Sequence, residues 1–200
     1  MNFLAHALLA GGDADLEVGG VLGDFVRGRP DPALPRGLRR GIALHRAIDS
    51  FTDSHPDVLA ARQLFAPPWR RYAGIMLDVW FDHCLARDFA HWSDCPLEAF
   101  SDRLQRRLQA RDELLPSRLR RFVAWMRRHD APAAYADEAV IAEVLEGIGH
   151  RLTRDNPLDH ALPPLRRRDA QLDRYFHAFF PQLVAFAERW RAETASVSAT

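Results

Sequence analysis

The sequence predicts an all-α protein that forms a single compact multi-helix domain, and three observations favour this fold. Apolar residues recur at three- and four-residue spacing along most of the 200 residues, whereas the alternation typical of half-buried strands is absent. Glycines and prolines separate the helical segments, but no linker is long enough to divide the chain. A chain of this length fits one domain with a sizeable core.

The predicted helices follow one another with short breaks. The first ends at Gly11-Gly12, and Asp13 is positioned to cap the second. The stretch Gly23–Pro35 is predicted to be a loop because it holds three prolines and two glycines. Helices are predicted over 2–10, 14–23, 35–53, 57–66, 69–88, 96–112, 117–130, 137–151 and 166–191, the last bent at Pro181, with proline loops over 155–164. The domain is expected to span 1–192, followed by a disordered tail at 193–200.

Composition excludes several classes of protein. The formal net charge is zero, so a general affinity for nucleic acid or membranes is not expected. All 27 basic residues are arginine, which excludes a lysine Schiff base and a Walker-type phosphate lysine. The two cysteines form no disulfide framework or zinc motif, and the N-terminus lacks the basic region of a signal peptide. No apolar run approaches the roughly 20 residues of a membrane span. A cytoplasmic location is expected.

The segment GIMLDVWFDHCLARDF (Gly74–Phe89) predicts a buried helix that nevertheless carries Asp78, Asp82 and His83. Asp78 and Asp82 are one turn apart and share an apolar face. Burying an unpaired charge costs several kcal/mol or more, so these carboxylates need compensation. Arginine partners would supply it, and so would a metal ion.

A second helix, GIALHRAIDSFTD, places His45 and Asp49 one turn apart beside its apolar stripe, with Asp53 next to them. Imidazole nitrogen and carboxylate oxygen at this spacing suit a divalent metal, although a surface His–Asp pair has the same pattern. Two further candidates are Asp24, at a glycine-flanked turn, and His6, on the apolar N-terminal helix. Together these residues indicate a buried metal site, because a divalent cation would neutralise the clustered carboxylates.

Four motifs taken together resemble the acyl carrier protein phosphodiesterase family: MNFLAH, LGDFVRG, GIALHRAIDSFTDSHP and LDVWFDHCLA, with LDRYFHAFFPQL agreeing more loosely. The resemblance implies an all-α cytoplasmic enzyme, distantly similar to HD-domain phosphohydrolases, that removes 4′-phosphopantetheine from holo-acyl carrier protein. It implies a divalent metal, with Mn²⁺ favoured over Mg²⁺ or Fe²⁺.

The matching motifs assign the metal ligands by resemblance, and two positions depart from the expected patterns. The predicted ligands are Asp24, His45, Asp49, Asp82 and His83, with His6 and Asp53 as additional candidates. The adjacent pair Asp82-His83 has the reverse order of the His-Asp pair in HD proteins. Leu8 stands where family members often carry a second histidine.

The expected roles around the metal follow from charge and position. Asp78 is predicted to orient or deprotonate the attacking water, and Arg27 and Arg46 to neutralise phosphoryl oxygens. An acidic carrier would need a basic docking face. The segment 27–46 has six arginines against one acid, and Arg36, Arg39 and Arg40 are the predicted docking residues. Residues 101–130 have nine arginines against four acids and are interpreted as a solvated face.

Two other functions are compatible with the residues. A metal phosphohydrolase acting on a small phosphoester or nucleotide would use the same cluster without the arginine docking face. A non-catalytic helical binding module would pair its histidines and aspartates with arginines and bind no metal. Nucleic-acid binding is not expected, and the sequence leaves the oligomeric state open.

Overall fold

The computed structural model describes residues 2–196, and this part of the chain contains no β-strand. It consists of eleven α-helices joined by short loops and 3₁₀ turns. The helices are α1 (Phe3–Leu8), α2 (Ala14–Leu22), α3 (Arg36–Ser54), α4 (Pro56–Gln63), α5 (Ala73–Arg87), α6 (Phe89–Trp92), α7 (Leu97–Gln109), α8 (Ser117–Arg128), α9 (Glu138–Gly149), α10 (Leu162–Arg166) and α11 (Asp169–Ser196). The all-α prediction is confirmed, whereas the likeness to HD-domain proteins stays a prediction.

The structure differs from the predicted helices mainly where proline occurs. The short helix α10 begins within the predicted proline loop and extends beyond it. Pro163 and Pro164 are tolerated because they occupy its first turn, where the missing N–H is not needed for helical hydrogen bonding. Pro181 lies inside α11 without ending it. Helix α11 continues through residues 193–196, the first part of the predicted tail, while 197–200 lie outside the described residues.

Helix α5 lies at the centre of the bundle, which explains why its sequence is apolar on nearly every side. It contacts α1, α4, α9 and α11. Its Trp80 and Phe81 are fully buried, and the ring of Phe81 lies 5.7 Å from that of Phe176 and 6.1 Å from that of Phe179 on α11. No helix of the described chain is both long and apolar enough to cross a membrane.

Glycines on α2 let α1 and α3 approach its backbone closely. A Cβ atom at Gly19 would lie 2.4 Å from the carbonyl oxygen of Leu38 and 2.7 Å from Cα of Gly41, both on α3. A Cβ atom at Gly20 would lie 3.2 Å from the carbonyl oxygen of His6 on α1. The three helices therefore pack backbone to backbone, and this brings residues of α1 and α3 together.

Replacing Gly19 by alanine is expected to lower the free energy of unfolding by about 1–3 kcal/mol, the usual cost of overpacking a tight contact. The added methyl group meets backbone atoms, which cannot rotate away. Urea unfolding measures the effect. The control is Gly147→Ala on α9, where the new Cβ meets no described atom within 4 Å beyond its chain neighbours and the adjacent backbone of its own helix, and a gain of up to about 1 kcal/mol is expected. Equal stabilities for the two variants would contradict the backbone contact.

Candidate active site

His6, His45 and Asp49 form a cluster where α1 meets α3. Nε2 of His6 lies 3.2 Å from Oδ1 of Asp49, and Nε2 of His45 lies 3.0 Å from Oδ2. The two imidazole rings stack with centroids 4.0 Å apart. One ligand atom from each residue lies within 4.8 Å of the others. Two nitrogens and a carboxylate thus converge on one small volume, the donor set of a divalent metal site.

The local sequence explains how these side chains meet. His45 and Asp49 are one turn apart on α3 and therefore share a face. Gly23, which follows α2, leaves room for the imidazole of His45, since a Cβ atom there would lie 2.3 Å from its Cγ. His6 is buried on α1 and reaches the cluster because Gly20 permits the close approach of the two helices.

Two of the three groups in the cluster, His6 and Asp49, are in the protonation state that metal binding favours. Burial and the neighbouring His45 lower the pKa of His6 to about 4, so its imidazole is neutral at pH 7. Burial alone would raise the pKa of Asp49, but the adjacent imidazoles of His45 and His6 outweigh it and hold this pKa well below its usual range. Burial would lower the pKa of His45, but Asp49 outweighs that effect and raises it.

Asp24 and Asp78 connect the cluster to a cavity of about 560 Å³. Oδ1 of Asp24 lies 3.8 Å from Nε2 of His45, and its side chain is 43% exposed. Both carboxylates line the cavity. Burial raises the pKa of Asp78, and burial together with the charges of Asp49 and Asp78 raises that of Asp24. The cavity therefore has an acidic wall directly beside the His–Asp cluster.

The other walls of the cavity are aromatic and basic. Phe3 and Phe122 lie 4.4 Å apart between ring centroids, Phe25 lies 6.0 Å from Phe122, and Trp125 stacks 5.6 Å from Phe122. Three arginines also line it: Arg118, Arg121 and Arg151. The sequence analysis missed this wall, although the spacing i, i+3, i+4 and i+7 of the α8 residues 118, 121, 122 and 125 marks one helix face.

Two of the predicted ligands, Asp82 and His83, have other partners in the structure. The fully buried carboxylate of Asp82 accepts hydrogen bonds from the backbone N–H groups of Asn2 (3.3 Å), Leu4 (2.8 Å) and Ala5 (3.2 Å), which caps α1. Burial raises the pKa of Asp82 to about 7, although these bonds lower it. Nδ1 of His83 donates to the carbonyl oxygen of Tyr135 at 2.8 Å. Neither residue joins the cluster around Asp49.

Arg46, Arg27 and Asp53 lie outside the described lining of the cavity. Nη2 of Arg46 donates to the carbonyl oxygens of Val26 (3.0 Å) and Gly28 (2.6 Å), so this side chain holds the loop after Asp24. Arg27 is exposed on the same loop. Asp53 accepts a hydrogen bond from Nη2 of Arg62 at 2.5 Å. The predicted contact of Arg46 with phosphoryl oxygens therefore competes with its contacts to the loop.

The predicted docking arginines lie on the first turns of α3, the helix that carries His45 and Asp49. Arg36 and Arg39 are exposed, whereas Arg40 is half-buried and donates from Nη2 to Oγ1 of Thr194 at 3.2 Å. None of these three arginines lines the cavity. Any part they play is therefore at the protein surface beside the site.

A second group of metal-ligand type, Asp88, Asp173 and His177, lies near the start of α11. Here the guanidinium of Arg87 forms ion pairs with both Asp88 and Asp173. Because an arginine already compensates these carboxylates, this group does not need a cation.

The fold and the site define an all-α protein whose histidine–carboxylate cluster lies, across Asp24, beside a cavity with acidic, aromatic and basic walls. The sequence profile described as "Acyl carrier protein phosphodiesterase" matches residues 1–183. The chain therefore belongs to the acyl carrier protein phosphodiesterase family, a family of phosphodiester hydrolases, and the resemblance seen in the motifs is confirmed.

Relatives with this name are similar to the chain over almost its whole length. The acyl carrier protein phosphodiesterase of Photorhabdus laumondii is 34% identical over 94% of this chain and 96% of its own. Those of Pectobacterium atrosepticum and Salmonella agona are 35% and 37% identical over 94% of this chain and 98% of their own. No solved structure matches the chain.

Proposed function

We propose that the chain hydrolyses the phosphodiester linking 4′-phosphopantetheine to the serine of holo-acyl carrier protein. The products are apo-carrier and free 4′-phosphopantetheine. The observation that carries this proposal is the His6–His45–Asp49 cluster, which Asp24 connects to the cavity, in a chain of this family. The cavity volume of about 560 Å³ lies within the range of small-molecule sites and suits a prosthetic group.

The residues of the cluster fit a divalent metal. Both ring nitrogens of the buried His6 lack a hydrogen bond of normal geometry among the described residues, which is costly unless a ligand uses them. We propose that His6, His45 and Asp49 hold the ion with Asp24 as a further ligand, and that Asp82 and His83 do not. Two nitrogens and two carboxylates suit Mn²⁺ or Fe²⁺ better than Mg²⁺, which prefers oxygen ligands. When bound, such an ion polarises a phosphoryl oxygen and lowers the pKa of bound water.

Asp78 faces the same cavity and is proposed to act on the attacking water. Its raised pKa makes it a better base than an exposed aspartate, because burial disfavours its ionised form. The aromatic wall formed by Phe3, Phe25, Phe122 and Trp125 is proposed to hold the pantetheine arm, whose amide and methylene groups suit apolar surroundings. Arg36, Arg39 and Arg40 are retained as a surface that docks the acidic carrier.

Asp78→Asn is expected to lower kcat for holo-carrier by about 100-fold, the lower end of what a positioned general base contributes. Metal binding should persist, because Asp78 is outside the proposed ligand set. Turnover is followed by mass spectrometry and metal content by elemental analysis. The matched control is Asp53→Asn, since Asp53 is 67% exposed and paired with Arg62. An Asp78→Asn protein with wild-type kcat would exclude the role in water activation.

The proposed reaction is tested by incubating purified protein with holo-acyl carrier protein and Mn²⁺, with and without a chelator, and following masses over time. Metal-dependent conversion to apo-carrier, with an equal amount of 4′-phosphopantetheine, is the expected result. If the carrier stays intact while the protein binds Mn²⁺, a small-molecule phosphoester becomes the substrate to seek. If the carrier stays intact and no metal binds, the binding-module alternative becomes the better explanation.

A further inference from the structure

Three arginines that line the cavity have no carboxylate within ion-pair distance among the described residues. No ion pair involving Arg118, Arg121 or Arg151 occurs among residues 2–196, whereas Arg62, Arg87, Arg107 and Arg111 each pair with a carboxylate. Glu143 also lines the cavity, but its carboxylate lies 3.6 Å from Nδ1 of His129. These three guanidiniums are therefore not held in ion pairs by the described side chains, and their N–H groups are available to a ligand in the cavity.

Two of these guanidiniums, those of Arg118 and Arg151, line the same cavity and influence each other electrostatically. Burial lowers the pKa of Arg151, and the charge of Arg118 lowers it further. Both residues are exposed, so water screens their repulsion, and the cationic pair favours an anion bound between them. The fold brings them to one cavity from different elements, since Arg118 is on α8 and Arg151 follows α9.

The basic wall faces the acidic wall of the same cavity. Arg151 is close enough to Asp24 for that carboxylate to influence its pKa. Asn2 adds a neutral donor, because it is only 8% exposed, lines the cavity, and its Nδ2 lacks a hydrogen-bond partner among the described residues. The nitrogens of guanidinium and amide groups donate hydrogen bonds but do not accept them, so they suit the oxygens of an anion.

We infer that Arg118 and Arg151, assisted by Arg121 and Asn2, form a subsite for the phosphoryl oxygens of a phosphate ester. The planar, paired donors of arginine match phosphate geometry. This inference deepens the proposed function and identifies its ligand as the phosphoryl group of the carrier's prosthetic group. It replaces Arg27 and Arg46, which lie outside the cavity lining, in the predicted role of contacting those oxygens.

The test compares Arg118→Gln, Arg151→Gln and the double variant with Arg127→Gln. Arg127 is exposed on the same helix and lies nine residues after Arg118, about half a turn away around the axis. Calorimetry on the full-length protein in Mg²⁺ measures the affinities for inorganic phosphate, 4′-phosphopantetheine and apo-carrier. Each cavity variant should bind 4′-phosphopantetheine about tenfold more weakly, and inorganic phosphate more weakly too, since one charge-assisted hydrogen bond is removed. Arg127→Gln should leave all three affinities unchanged. None of the variants should change the affinity for apo-carrier, which lacks the phosphate.

Unchanged affinity of the double variant for both phosphate probes would overturn the inference. A loss of apo-carrier affinity as large as the loss for 4′-phosphopantetheine would also overturn it, because the arginines would then bind carboxylates of the carrier. The proposed function is judged separately, by turnover of holo-carrier by the wild-type protein. If that turnover is absent while phosphate binding depends on Arg118 and Arg151, the subsite stands and the carrier is the wrong substrate.

Discussion

His45→Ala is expected to remove divalent-metal binding and turnover of holo-carrier together. His45 supplies one of the two imidazoles of the proposed site, and its Nε2 lies 3.0 Å from Asp49 and 3.8 Å from Asp24. Because the loss of even an outer partner of a metal ligand costs about 10–100-fold in affinity, removal of this ligand should weaken Mn²⁺ binding at least 100-fold. Activity should fall below detection at micromolar Mn²⁺.

The matched control for this variant is His177→Ala. His177 also lies one turn from an aspartate, Asp173, and belongs to the other group of metal-ligand type. Arg87 compensates that group, so metal affinity and turnover should stay at the wild-type level. Circular dichroism is used to check that both variants are folded. A folded His45→Ala protein that kept normal Mn²⁺ affinity would show that His45 is not a ligand. Loss of metal from both variants would show that the experiment does not distinguish the Asp49 cluster from the Asp173 group.

Asp82→Ala is expected to lower the free energy of unfolding by at least about 3 kcal/mol, although Asp82 is outside the proposed metal site. The substitution leaves three buried backbone N–H groups, those of Asn2, Leu4 and Ala5, without their acceptor. Each buried donor left without a partner costs about 1–3 kcal/mol. A six-residue helix such as α1 is not stable alone, so it depends on this cap for its position.

The same variant should also weaken metal binding, because α1 carries His6. Urea unfolding measures the stability, and titration with Mn²⁺ measures the affinity. Asp53→Ala is the control, since an exposed ion pair such as Asp53–Arg62 contributes only about 0–1 kcal/mol. A loss below 1 kcal/mol for Asp82→Ala would show that the hydrogen bonds to α1 do not hold it in place.

Helical periodicity predicted most of the fold, because the long amphipathic helices have clear apolar faces and clear ends. Helix α3 begins one residue later than predicted and ends one residue later. The short helices α6 and α10 escaped prediction, since four or five residues are too few to show a period. The proline pair at 163–164 indicated a loop, but proline is equally compatible with the first turn of a helix.

The sequence pointed to the site residues without being able to group them. His45 and Asp49 could be paired from their spacing within one helix, and this pairing is present in the structure. Asp82 and Asp78 looked equivalent, being one turn apart on an apolar helix. Their surroundings differ because the N-terminus of α1 lies against Asp82, whereas Asp78 lines the cavity. Contacts between residues nearly 80 positions apart leave no local pattern in the sequence.

The arginine subsite escaped the sequence analysis for a related reason. Residues 101–130 contain nine arginines, and composition gave no reason to separate Arg118 and Arg121 from the solvated ones. Their partner Arg151 is distant in sequence, at the end of α9, and only the fold brings it opposite α8. Their position around one cavity, which distinguishes them in the structure, cannot be read from sequence.

The most direct test of the metal site and its role is one titration with two readouts. Protein stripped by a chelator is titrated with Mn²⁺, bound ion is measured by electron paramagnetic resonance, and release of 4′-phosphopantetheine from holo-carrier is measured on the same samples. We expect activity to rise in proportion to bound Mn²⁺ in the wild-type protein, with both signals missing from His45→Ala. Full release of 4′-phosphopantetheine by the stripped protein, before any Mn²⁺ is added, would contradict the account.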